Sequence, residues 1–260
     1  MSDSEKTNDD LAHADVGLVC ALPIELGTFL DRCEKVRKYS GGKFVFRGGR
    51  YDDIRIAIVE CGTGFARARA ATQSLIDAHS PDWILSSGFS GGLLPEMKPG
   101  QIVIANSIVD THEHELNIDV HVAEDTARGL YVGRFVTADK IVRMVDEKMA
   151  LAEQHAAIAV DLESLAVAQV CQETQTRFMA VRVISDDLSA DLPPEVLSVI
   201  GNSGTVRLGA AIGSLWKRPS SAKDLWNLRE AAMTAAERLA DFLDGVVRQI
   251  YNAGQDKAES

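Results

Sequence analysis

The chain has 260 residues, 46% of them hydrophobic and 25% charged, with a mean hydropathy of −0.03. That composition supplies a full core without disulfide or metal staples and excludes a wholly disordered chain. Acidic residues outnumber basic ones by 38 to 27, a formal charge of −11, which disfavours nucleic acid and anionic membrane surfaces as partners.

Residues 1–14 and 253–260 read as disordered tails, leaving 15–252 as one domain without an internal linker or repeat. The run VGLVCAL (16–22) is short, continuous and β-branched, which predicts a strand buried on both faces. Pro23 then suits the first turn of a helix over PIELGTFLDRC, because its missing N–H costs nothing there. KFVFRGGRYDDIRIAIVEC (43–61) predicts a hairpin turning at Gly-Gly and Asp-Asp. FARARAATQSLIDAH (65–79) has helical spacing and a Ser-Pro stop. DWILSSGFSGG and QIVIANSIVD are further buried strands, AIAVDLESLAVAQVC passes from strand to helix, and RFMAVRVISDD is a strand with a polar end. The stretch from Ser221 to Tyr251 is a long amphipathic helix. Strands alternating with helices predict an α/β fold: a single domain with a central mixed, mostly parallel sheet flanked by helices.

Ligands of such folds meet the carboxyl ends of strands, so polar residues there carry the functional reading. Glu25 follows the first strand, where helix-dipole compensation is its bland role. The turn SSGFSGGL (86–93) permits close backbone approach to a ligand, or is a plain glycine turn. Asp161 and Glu163 stand two apart at a strand-to-helix junction, where capping accounts for one carboxylate and not both. Arg182 and Asp186 end another strand, either as a structural ion pair or as separate groups on one face. Cys61-Gly62-Thr63-Gly64 opens a helix but has Arg67 where a dinucleotide fingerprint needs its third glycine. His112, His114 and His121 form an HxH pattern with a third histidine, but the surrounding acids read as an exposed loop rather than a zinc site. The chain has no GxSxG elbow, P-loop lysine motif or HExxH. Cys20, Cys33, Cys61 and Cys171 show no CxxC spacing and suggest reduced thiols in the cytoplasm. No apolar run reaches the roughly 18 residues of a membrane span, and the N-terminal stretch has no signal-peptide pattern.

In order along the chain, GLVCALPIEL, VECGTGFARARAA, SSGFSGGL with KPGQIVIA, AVDLESLAVA and VRVISDD resemble the nucleoside phosphorylase/nucleosidase superfamily. The resemblance covers roughly residues 15–190 and is similar in detail to methylthioadenosine/S-adenosylhomocysteine nucleosidases and hopanoid-associated nucleosidases. It implies hydrolysis of the N-glycosidic bond of a 5′-substituted adenine nucleoside, without metal or organic cofactor, by a homo-oligomer. It assigns Glu25 to water activation, Glu163 to the ribose hydroxyls, Asp186 to the purine and its N7, and Arg182 to the water site. Leu162, Phe89, Ser90 and Gly91 would line the substrate, and Ile141 and Val142 would offer backbone contacts to the base.

Two departures bear on the reaction. Phosphorylases of this superfamily carry an arginine just before the SGFSGG-like turn, where this chain has Ser86, and CALPIEL also lacks arginine. A phosphate dianion would be poorly held without those cations. Phe89 stands where the methylthioadenosine enzymes have serine, which leaves the 5′ group open. Leu215, Trp216, Leu225 and Trp226 are candidates for a large 5′ pocket or for core packing. A phosphate-dependent phosphorylase and a non-catalytic nucleoside-binding protein remain the rival readings.

Overall fold

The structure, a computed structural model, describes residues 12–194, 196–197 and 219–258. Its elements are β1 (Val16–Cys20), α1 (Pro23–Leu30), β2 (Glu34–Gly41), β3 (Phe44–Tyr51), β4 (Ile54–Glu60), α2 (Phe65–His79) and β5 (Trp83–Gly92). They continue as β6 (Ile102–Asp110), β7 (Glu115–Asn117), β8 (Leu130–Thr137), α3 (Val145–His155), β9 (Ala159–Asp161), α4 (Ser164–Glu173), β10 (Arg177–Asp186) and α5 (Pro219–Ala258).

The strands form one mixed sheet. Parallel pairings run through its centre, β4–β1–β5–β10, with β2 and β3 added antiparallel at one side. β10 pairs with both β5 and β6, and β6–β8–β9 leads back to β5, so these five strands close into a ring. Closure brings the ends of β5, β9 and β10 together.

Alternation on β1 explains its wholly apolar sequence. Val16, Leu18 and Cys20 enter the core under α1 and α5, while Val19 joins the core under α2 and α4. The strand is thus buried on both faces, as its composition requires. Pro23 occupies the start of α1, and α2 ends at Ser80, whose φ of 41° is left-handed, just before Pro81.

Several expectations change in detail. The hairpin turns at Asp52-Asp53 alone, because Gly48 and Gly49 lie inside β3. β2, β7, β8 and α3 carry no strong local pattern and were not expected. Ala14 is buried and donates its N–H to the His79 carbonyl, so residue 14 belongs to the folded domain and not to a tail. Residues 253–258 continue α5 instead of forming a disordered tail. Leu215 and Trp216 lie outside the described residues, as do the side chains of Leu225 and Trp226. No helix of the described residues is long and apolar enough to cross a membrane, and all four cysteines are free thiols.

Leu239, Leu243 and Val247 repeat every four residues along α5 and are fully buried against α1 and the sheet. Arg32 fastens the same helix through Asp244 and through Asp241 at 2.6 Å. Leu243→Ala should therefore lower unfolding stability by about 2–5 kcal/mol, the range for a buried leucine deleted from a tight core. Urea denaturation measures it, and a loss under about 0.5 kcal/mol, typical of a surface site, would contradict this packing.

Candidate active site

The polar residues lie on or just after β1, β5, β9 and β10, and a buried arginine joins the last three; it sits inside β10, four residues before the end at which it was expected. Arg182, on β10, is 2% exposed. Its Nε and Nη2 both lie 3.0 Å from Asp161 Oδ2, at the end of β9. Nη2 also donates to Ser86 Oγ on β5 at 2.9 Å and to Ser164 Oγ on α4 at 3.0 Å. Arg182 Nη1 has no protein acceptor among the described residues, which leaves one donor for a ligand or water. Burial works against the guanidinium charge, but the negative charges of Asp161, Glu163 and Glu25 outweigh it and strengthen its hold on the proton.

The two carboxylates two residues apart divide their work. Asp161 Oδ1 accepts from Thr137 Oγ1 at 2.9 Å and from the Glu163 and Ser164 amides at 3.3 Å, so Asp161 both caps α4 and neutralises Arg182. Glu163, also buried, accepts from the Gly64 amide at 2.8 Å. Gly64 presents that amide with a φ of +100°, a conformation that favours glycine. Burial, then the adjacent Asp161 charge, pushes the Glu163 carboxyl up to about 8, against the pull of Arg182 and the Gly64 amide.

Glu25 sits in the first turn of α1, where its Oε2 accepts from the Leu22 amide at 2.8 Å. Its Oε1 crosses to β5 and accepts from the Phe89 amide at 3.0 Å. A Cβ on Gly88 would lie 2.6 Å from that oxygen, so the glycine lets the carboxylate rest against the strand. Burial raises the affinity of Glu25 for its proton, against those amides and Arg182. Helix-dipole compensation alone would leave this carboxylate near water rather than buried against β5.

Asp186 does not pair with Arg182, which excludes the structural Arg–Asp pair. A register shift between Ile184 and Asp186 interrupts β10, so strand alternation does not carry from 182 to 186. Asp186 instead pairs with Lys148 of α3 and accepts from Ser185 Oγ at 2.6 Å. Gly91 is the β5 partner of Asp186, and Ser90 is buried beside it with its carbonyl accepting from Ser185 Oγ at 3.2 Å. Val142 is buried in the same apolar cluster that Leu162 packs against, with Ile141 partly buried beside it. Phe89 packs partly buried against the core under α1 and α5.

The HxH histidines do not converge. His114 Nδ1 meets Asp110 at 2.8 Å, His112 meets Asp139 at 3.2 Å, and His121 meets Asp119 at 3.5 Å. A hollow of about 380 Å³ between Phe44, Phe46 and the α2 residues Ala70 and Ser74 shares no residue with the carboxylate cluster. Sequence reasoning missed Lys148 and Ser164 and assigned Asp161 no task. A lone lysine among the polar residues of VDEKMALAEQH gives no local sign of burial.

The Glu163 carboxyl gives the free protein a pH-dependent stability. The folded state holds its proton up to about 8, while the unfolded chain releases it near 4.5. Between those values the folded state binds more protons, so stability falls as pH rises, and Glu25 acts in the same direction. Glu163→Gln should remove part of that fall: the Tm difference, variant minus wild type, should rise from pH 4.5 to 8. A difference that stays constant would contradict the buried, proton-holding carboxyl.

Residues 15–122 and 114–207 match the family model described as the phosphorylase superfamily. A 5′-methylthioadenosine/S-adenosylhomocysteine nucleosidase from Bacillus pumilus is 24% identical over 200 residues, covering 66% of this chain and 85% of its own. The Neisseria meningitidis nucleosidase of the same name, solved with methylthio-immucillin-A, aligns with a TM-score of 0.66 at 20% identity, covering 90% of this chain and 98% of that one. Futalosine hydrolase of Helicobacter pylori aligns with a TM-score of 0.65 at 20% identity, covering 90% of this chain and 97% of that one. The shared fold and the matched segments agree, and the chain belongs to the phosphorylase superfamily.

Proposed function

We propose that this protein hydrolyses the N-glycosidic bond of a 5′-substituted adenine nucleoside and releases the free base. The supporting observation is the buried group of Glu25 and Glu163, at the starts of two helices, and Arg182, on β10, beside a residue 86 that is serine and already bound to Arg182. Phosphorolysis needs cations free to hold a dianion, and the one arginine in this group is committed to Asp161. Water is therefore the better nucleophile. The names of the nucleosidase and futalosine hydrolase relatives agree with this chemistry.

In this reading Glu25 takes a proton from water as oxygen attacks the anomeric carbon. Its affinity for that proton, raised by burial, makes it a stronger base than an exposed carboxylate. The spare Arg182 Nη1 donor orients the water. Glu163 receives the ribose hydroxyls, whose two O–H donors favour its charged form and displace the proton it holds in the free protein. Breaking the bond puts positive charge on the ribose and negative charge on the purine. The carboxylates stabilise the first, and Asp186, by protonating N7, relieves the second. Leu162, Phe89, Ser90, Gly91, Ile141 and Val142 line the nucleoside. We further infer a cytoplasmic homo-oligomer, on the strength of the free thiols and the family resemblance.

A binding module would need the pocket but no buried base next to it, and Glu25 argues against that alternative. Adenine release from 5′-methylthioadenosine, followed without and with inorganic phosphate, tests the reaction type. Equal rates are expected; an absolute need for phosphate, with ribose 1-phosphate formed, would overturn hydrolysis. Asp186→Asn keeps a donor but has no proton to give, so kcat should fall by about 10²–10⁴-fold. Because the change also unpairs Lys148, the rate is taken per folded molecule. Near-native turnover would refute the role given to Asp186.

A further inference from the structure

The proposed chemistry asks Asp186 for a proton, yet its carboxylate lies in an ion pair. Lys148 is fully buried, and its Nζ donates to Asp186 Oδ2 and, at 2.9 Å, to the Asp187 carbonyl oxygen. Asp187's own carboxylate is occupied by Ser189 and by Lys98 at 3.4 Å, so Asp186 is the counter-ion that Lys148 meets. Taking an ammonium out of water costs several kcal/mol, and an apolar side chain would fill the same space without that cost. Only Lys148 and His155 of α3 are buried, so this helix sends a charge into the interior at one of its two points of entry. The pair lies beneath the glycine turn: a Cβ on Gly91 would stand 3.3 Å from Asp186 Oδ2 and 3.5 Å from Lys148 Cε. Asp186 remains 16% exposed at its side chain while Lys148 is 0% exposed, so the carboxyl can meet a ligand and the lysine acts only through it.

We propose that Lys148 holds, in the free protein, the proton that the departing purine takes through Asp186. This inference rests on the nucleosidase reading above. As the C1′–N9 bond breaks, its electron pair goes to the purine, and N7 takes a proton through the Asp186 carboxyl. An Nζ–H bond of Lys148 breaks to make up that proton. Asp186 ends as the carboxylate it was, and Lys148 ends as a neutral amine. Glu25 meanwhile holds the proton taken from the attacking water. After the products leave, Glu25 releases that proton to solvent and Lys148 regains one from solvent by way of the partly exposed Asp186 carboxyl, which restores both groups. Lys148 is thus a positioning and proton-storing residue behind the acid, and the pair is the leaving-group catalyst.

Two substrates separate this role from a merely structural one: 5′-methylthioadenosine, whose purine needs a proton, and 4-nitrophenyl riboside, whose leaving group departs as a stable anion. For Lys148→Met, the ratio of purine to nitrophenyl kcat should fall about 10²-fold or more, the scale of lost general-acid assistance. The neutral double variant, Lys148→Met with Asp186→Asn, removes the unpaired buried charge, and its ratio should equal that of Asp186→Asn alone, because the two residues act as one unit. Two results would overturn the proposal: a Lys148→Met ratio within threefold of wild type, or a double variant whose ratio falls by the product of the single losses. If the wild-type protein released no purine, or released it only with phosphate, the nucleosidase reading itself would fail.

Discussion

A buried ion pair, Arg182 with Asp161, fixes the geometry on which the site depends. One guanidinium binds the end of β9, a hydroxyl on β5 and a hydroxyl at the start of α4, so β10 cannot shift without disturbing three elements. An isolated buried charge would be prohibitive. Here ring closure already sets β9 and β10 on either side of β5, so the two charges meet directly. The guanidinium then faces Glu25 and Glu163, which form no ion pair of their own among the described residues.

That imbalance shapes the chemistry. Three carboxylates share the field of one arginine, and Asp161, which makes the direct contact, takes the largest share of it. Glu163 and Glu25 are left with burial as the dominant influence, and both hold protons more tightly than an exposed carboxyl. Groups in that condition respond to what arrives. A hydrogen-bond donor that reaches either carboxyl favours its charged form.

The second ion pair, Asp186 with Lys148, lies beyond the irregularity in β10. The interruption separates two charged groups that stand four residues apart on one strand. Arg182 turns toward the sheet junction, and Asp186 turns toward α3 and the glycine turn. Two separate ion pairs thereby anchor the two arms of the site.

The sequence by itself determined the elements whose signal is local. β1, α2, β5, β6 and β10 follow from short apolar runs bounded by glycine, proline and polar ends, and the boundaries of α2 coincide with its helical spacing and Ser-Pro stop. Order along the chain sufficed to propose Glu25, Glu163, Arg182 and Asp186: three of them end a strand or open a helix, and Arg182 lies inside β10, four residues before its end. The edge strand β2, with almost every residue exposed, and the short β7 had no periodic face to reveal them. Tertiary structure alone decided which charge meets which. Arg182 lies 21 residues from Asp161 and Lys148 lies 38 from Asp186, and composition near either residue says nothing about the other. The pairing of buried charges is set by how strands close and where a helix enters the core, and those are long-range choices made by packing.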